Sequence, residues 1–106
     1  MTANYDLYSI ASPTLDQARV IVERGLGISL SRHESSWCGD YFRAGMSGGE
    51  HFILQANHDS VEDEWAEPQY KTARFLLYVN ETLRAAALRE ALGRLPQVTH
   101  LRSGRA

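Results

Sequence analysis

Large apolar side chains are concentrated at one place in this chain. Ala73 to Val79 reads Ala-Arg-Phe-Leu-Leu-Tyr-Val, and the five residues from Phe75 are all large and mostly aromatic or β-favouring. A run of that length, with a helical pattern after it, predicts a strand buried on both faces in the middle of a sheet. Elsewhere the pattern is looser. Tyr5 to Ala11 intersperses Tyr5, Leu7, Tyr8 and Ile10 with Asp6 and Ser9, which is strand composition, and Ser12-Pro13 ends it. Thr14 with Gln17 three residues on predicts a capped helix start, with Ser12 before Pro13 as the alternative cap. Leu15, Ala18, Ile21 and Val22 then share one helical face. Gly25 predicts the left-handed stop, with Leu26 folding back over the end.

The middle of the chain reads as strands. Ile28 to Arg32 alternates, His33 to Gly39 is polar and irregular, and Asp40 to Arg43 is extended again. The glycines of Gly45 to Gly49 predict a turn. Glu50 to Gln55 returns as a strand, with Phe52 and Leu54 on one side and His51, Ile53 and Gln55 on the other. After the central strand, Asn80 or Thr82 opens a second helix whose Leu88, Ala91, Leu92 and Leu95 form a core stripe, with Arg84, Arg89 and Arg94 toward water. Pro96 ends it. Val98 to Leu101 predicts a short last strand, and Ser103 to Ala106 a frayed end.

The element order β-α-β-β-β-α-β, in 106 residues, predicts a single α+β domain over residues 1–106. The architecture expected is a two-layer sandwich. Two helices cover one face of a four- to five-stranded, largely antiparallel sheet, with a ferredoxin-like tendency in the strand-helix-strand pieces.

Charge adds a local feature to this picture. The formal net charge of -2 gives no overall pull toward nucleic acid or an anionic membrane. The distribution is uneven: Asp59, Glu62, Asp63, Glu64 and Glu67 fall within nine residues, whereas Arg84, Arg89, Arg94, Arg102 and Arg105 stand against Glu90 alone in the tail. One cysteine, Cys38, leaves no internal disulfide and no Cys-rich zinc site. The first residues lack the basic head and apolar core of a signal peptide, and no apolar run reaches membrane-spanning length. The expected location is the cytoplasm.

The acidic stretch holds Trp65. An indole ringed by carboxylates has the composition of a protein-binding hot spot, whose rim steers a basic partner. The alternative is a solvated loop with Trp65 folded back on the core. The candidate partner-binding residues are therefore Asp59, Glu62, Asp63, Glu64, Trp65 and Glu67. His33, Glu34, Cys38 and Asp40 contain the residue types of a cysteine nucleophile with a base, but no elbow motif or oxyanion hole surrounds Cys38. His51, His58 and Asp59 match no standard metal spacing. Tyr5, Tyr8, Tyr41, Phe42, Tyr70 and Tyr78 line a ligand pocket or fill the core. The tail arginines lack the motifs of a nucleic-acid site.

The segments Ser35-Ser36-Trp37-Cys38-Gly39-Asp40-Tyr41-Phe42, Leu54-Gln55-Ala56-Asn57-His58-Asp59, Glu64-Trp65-Ala66-Glu67-Pro68 and Leu76-Leu77-Tyr78-Val79 carry a resemblance. From Tyr5 to Leu101 the chain resembles small bacterial single-domain proteins, similar in style to the immunity proteins that neutralise polymorphic or contact-dependent toxins. The resemblance implies a protein that acts by binding, without catalytic residues, metal or cofactor, on a cognate toxin with a basic surface. From the charge balance and the lack of a membrane-length apolar run, no direct contact with nucleic acid or membrane is expected. The alternatives are a small-ligand-binding α+β domain, dimeric through an open sheet edge, and a small cysteine-dependent enzyme using Cys38 and His33.

Overall fold

A computed structural model describes residues 3–35, 39–46, 48–59 and 61–105. The central strand is where the apolar run places it. β1 (Asn4–Ile10), β2 (Ser31–Ser35), β3 (Gly39–Gly45), β4 (His51–Ala56), β7 (Phe75–Thr82) and β8 (Val98–Arg105) form one sheet in the order β2-β3-β4-β7-β1-β8. All neighbours in it are antiparallel. A second, two-stranded ladder, β5 (His58–Asp59) with β6 (Glu64–Trp65), lies between β4 and β7 in the chain. The main sheet thus has six strands where four to five were expected. Its strand order also differs from the ferredoxin-like expectation, because the β2-β3-β4 meander extends the sheet on one side.

Helices α1 (Leu15–Leu26) and α2 (Ala85–Gly93) share one face. There Ala18, Val22, Leu88 and Leu92 pack with Tyr8, Ile10, Phe42, Phe52, Leu54, Phe75, Leu77 and Val79 in the main core. The opposite face of the sheet has its own smaller cluster of Leu7, Leu76 and Ala73, with Tyr70, Tyr78 and Leu101 against it. Burial of Leu76 and Leu77 alike, both 0% exposed, is the two-sided burial that the apolar run predicts. Tyr70 and Ala73, from the loop that leads into β7, pack with Leu76 on this second face.

Helix α1 begins as its sequence predicts, with the Thr14 hydroxyl accepting from the Gln17 N–H at 3.1 Å. It ends two residues later than expected. Gly27, at φ 67°, is the left-handed residue, and its N–H and that of Ile28 both donate to the Glu23 carbonyl. Gly25 is helical and serves close approach instead: a Cβ there would stand 2.5 Å from the Leu95 side chain. Other boundaries moved because polar residues continue strands. β2 begins at Ser31 and takes in His33, Glu34 and Ser35, which the sequence reads as irregular. β7 runs past Asn80 through a register shift against β1, where Glu81 adopts φ 53°, and ends at Thr82. Helix α2 therefore starts at Ala85, after the Thr82 hydroxyl accepts from the Arg84 N–H.

β8 is twice the expected length. Ser103, Gly104 and Arg105 pair with Asp6, Tyr5 and Asn4, so the chain is strand through Arg105 where a frayed end was expected; Ala106 lies outside the described residues. Its register slips at Leu101, which turns both Leu101 and Arg102 toward the second face. Arg89 does not simply face water. It reaches the Asp6 carboxylate, which is 1% exposed, at 3.2 Å. The Tyr8 hydroxyl lies 3.5 Å from the same carboxylate. Burial, and then the Asp6 charge, push the Tyr8 pKa up to about 12.

A raised pKa on a neutral acid has a definite sign. The folded protein resists losing this proton, so stability is intact below the ordinary tyrosine value and falls as pH rises through the folded one. Relative to Tyr8→Phe, the parent protein is expected to lose up to about 2.7 kcal/mol between pH 10 and 12. Urea midpoints of the two proteins across that range measure it; parallel curves refute it.

Candidate protein-binding site

The acidic stretch folds as a hairpin, and its sequence says why. After β5, the Asp59 carboxylate accepts from the Val61 N–H at 2.9 Å and the Glu62 N–H at 3.4 Å, an Asx-type turn. Asp63 takes the left-handed conformation, φ 52°, which aspartate tolerates better than most residues. The chain then returns as β6. In this ladder His58 stands opposite Trp65, and Asp59 stands opposite Glu64.

The base of the hairpin is fixed by Asn57, whose side chain is fully buried. Its Nδ2 donates to the carbonyls of Tyr70 and Ala73, both at 2.9 Å, with the Glu67 carbonyl at 3.5 Å. Its Oδ1 accepts from the Glu67 N–H at 2.8 Å. The main chain adds Asn57 N–H to the Arg74 carbonyl and Ala66 N–H to the Asn57 carbonyl. One amide thus ties the start of the hairpin to the loop, including the short helical turn Pro68–Tyr70, that leads into β7. Only a side chain with donors and an acceptor on one carbon satisfies both sides of this loop.

Four of the six sequence-derived residues share the hairpin as charges. Glu62, Asp63 and Glu64 are exposed and Asp59 is partly so. Asp63 holds the His58 imidazole at 2.8 Å. Trp65 is at the base and partly buried, its ring 4.5 Å from that of His58 and 5.6 Å from the Lys71 ammonium. It is neither the isolated outward anchor nor the fully buried core residue of the two sequence-based alternatives. The outermost apolar group is Val61, 87% exposed between the acids. A cleft of about 270 Å³ separates Asp59, Glu64 and Trp65 from Gln55 and Ala56 of β4.

Glu67 stands apart from the other acids. It turns to the second sheet face, where the Tyr78 hydroxyl donates to it at 2.8 Å and Arg102 pairs with it. Burial there raises its pKa, but the hydrogen bonds from Arg102 and Tyr78 outweigh burial and hold the carboxyl below its usual range. Its role is to clamp the hairpin's base to β7 and β8.

The other candidates are dispersed. Cys38 lies outside the described residues. His33 is on exposed β2, its ring stacked on Tyr41 at 5.4 Å. Buried His51 contacts the Gly49 carbonyl, Asn80 and Glu81, in a different place from His58. Among the described residues no three His, Cys, Asp or Glu side chains are grouped to hold a metal ion. The aromatic set divides between the layers, with Tyr8 and Phe42 in the main core and Tyr70 and Tyr78 on the far face. Arg84 is held by Glu50 and Arg102 by Glu67, so they do not present a free basic stripe.

Ser103, His100 and Asp6 meet at the β1–β8 edge, but not as a nucleophile relay. Ser103 Oγ, at 2.9 Å, and Asp6 Oδ1, at 3.8 Å, both approach His100 Nε2. A relay needs the two groups on different ring nitrogens.

Sequence reasoning missed Asn57, Val61, His58 and Lys71 as parts of this site. Val61, a lone apolar residue among acids, was legible; the partners of Asn57 carry no local signal. No protein-family model matches the chain, and no curated protein matches it.

Proposed function

We propose that this chain is a non-enzymatic protein-binding module that engages a basic partner surface through the tip of the β5–β6 hairpin. The supporting observation is the pairing of Asp59 with Glu64. Like charges directly opposite on a ladder destabilise it by a few tenths to about 1 kcal/mol. Here they do so on a hairpin whose base is fixed by a buried amide. A partner's lysines or arginines at the tip relieve that repulsion on binding. The complex therefore gains what the free protein lacks.

Among such modules, the reading that fits best is a bacterial immunity protein acting in the cytoplasm on a cognate toxin. The style of the sequence favours it. So does the chemistry, because a nuclease toxin's cleft is lined with cations for phosphate, and a rigid acidic finger occupies it in the same way. Val61 at the tip supplies the small apolar centre and Glu62, Asp63 and Glu64 the rim. Nothing in this reading requires a metal or cofactor. No helix among the described residues is long and apolar enough to cross a membrane.

The test is isothermal titration against the toxin encoded beside this chain's gene, using Glu62→Lys with Glu64→Lys. These two side chains are exposed, whereas Asp63 is engaged by His58. Affinity is expected to fall about 100-fold, roughly 2.7 kcal/mol. The thermal midpoint of the free protein is expected to hold or rise, since the cross-strand repulsion is gone. Unchanged affinity removes the hairpin from the reaction.

A further inference from the structure

The sheet has two open edges, and they are built differently. β8 carries His100, Arg102 and Arg105 and no acid. Two copies of β8 brought side by side set no carboxylate of the strand opposite its arginines, so its charges select no register. β2 reads Ser31-Arg32-His33-Glu34-Ser35, and its pairing with β3 is unbroken, from Ser31 opposite Arg43 to Ser35 opposite Gly39. It contains no proline and no bulge in this register. Ser31 to Glu34 are exposed.

The order of those five residues is symmetric in charge. Laid antiparallel on a second copy about a two-fold axis at His33, Arg32 falls opposite Glu34 of the other strand, and Glu34 opposite its Arg32. The serines fall opposite each other. The alternatives are all worse. Centring the axis on Arg32 or on Glu34 sets like charges face to face, and in-register parallel pairing does so at both positions. Opposed unlike pairs stabilise a ladder and opposed like pairs destabilise it, so the charges select one register.

The monomer itself carries the complementary defect. Glu34 stands directly opposite Asp40 of β3, acid against acid. Arg32 pairs with Asp40 diagonally, which leaves Glu34 without an ion pair of its own among the described residues. A guanidinium arriving on the open side of β2 would neutralise it. Arg32 and Glu34 share the face of Phe42, the helix side, while His33 lies beside Tyr41 on the other.

We infer that β2 is a self-association edge, at which two copies of this chain join antiparallel about His33 into one continuous sheet. The occupant is a second copy, because charge complementarity is met by β2 itself. The contact involves five residues of each strand, so it forms a reversible dimer in roughly the micromolar range rather than an obligate one. It does not depend on the hairpin.

Sedimentation velocity of the full chain over a concentration series tests this. The parent protein is expected to shift from monomer to dimer. Arg32→Glu and Glu34→Arg, each alone, are expected to remain monomeric over the same range. An equimolar mixture of the two is expected to recover the dimer, because every carboxylate again meets a guanidinium across the axis. Should Arg32→Glu fail to fold, Glu34→Lys carries the test alone. It removes the repulsion with Asp40, so it is expected to raise the thermal midpoint while lowering association at least tenfold. A parent protein that stays monomeric, single variants that dimerise as well as the parent, or a mixture that recovers nothing each overturns the assignment.

Discussion

Replacing Asn57 by aspartate is expected to cost about 4 kcal/mol of folding stability at neutral pH, a fall of roughly 20 °C in thermal midpoint for a domain of this size. The change is one atom, NH2 to O. It turns the group that donates to the Tyr70 and Ala73 carbonyls into an acceptor facing them. The Tyr70 carbonyl keeps the Ala73 N–H as a donor, but an unpaired Ala73 carbonyl costs about 1–3 kcal/mol, and a buried carboxylate facing both oxygens adds its own desolvation. The loss spreads beyond the hairpin. Asn57 holds the backbone of Tyr70 and Ala73, whose side chains pack with Leu7 and Leu76, so releasing it loosens the cluster on the far face of the sheet.

The pH dependence separates this mechanism from simple loss of packing. In the variant the carboxyl is neutral more readily in the folded state than in the unfolded one. Its deficit therefore shrinks as pH falls, since the protonated acid recovers one O–H donor. Asn57→Ala is expected to lose about 3 kcal/mol with no such dependence. Chemical denaturation of both variants at pH 7 and pH 4 makes the comparison. A change below about 1 kcal/mol in Asn57→Asp would mean that the loop docks without this amide.

What was legible in the sequence was what repeats along the chain. The apolar run from Phe75 fixed the central strand, because burial on both faces removes the need for alternation. Thr14 and Gln17 placed the start of α1, because capping is a contact three residues long. The extra strand length was hidden for a related reason. β2, the end of β7 and the end of β8 are polar, so they lack the period-two signal, and their pairing is set by neighbours far along the chain. Asn80 and Thr82 looked like caps because the same side chains serve strand ends and helix starts.

The candidate site divides along the same line. The acids of the hairpin are visible as composition, and Asp59 also closes the turn. Whether an acid faces water or a partner within the molecule is not a local property. Glu67 is the clear example, since Tyr78 and Arg102, which claim it, lie 11 and 35 residues away. Asn57 is the opposite case: an unremarked polar residue becomes the hub because four stretches of chain meet there. The same difference separates the arginines, which read as one solvated face although Arg89 reaches an acid 83 residues distant.

That long-range pair carries the second large effect, and its two halves are unequal. Arg89→Leu is expected to cost about 3 kcal/mol at neutral pH, because it strands the Asp6 carboxylate, 1% exposed, without its cation. The remaining groups are poor substitutes: the Tyr8 hydroxyl is 3.5 Å away and His100 Nε2 is 3.8 Å away. Removing the other partner is cheaper. Arg89 is 47% exposed, so in Asp6→Asn the guanidinium turns to water, and the expected loss is about 1 kcal/mol. Changing both, to Asp6→Leu with Arg89→Leu, is expected to recover most of what Arg89→Leu alone loses, since no buried charge is left unpaired. Denaturant midpoints for the three variants give the ordering directly. If Asp6→Asn proved costlier than Arg89→Leu, the buried carboxylate would not be the member of the pair that depends on its partner.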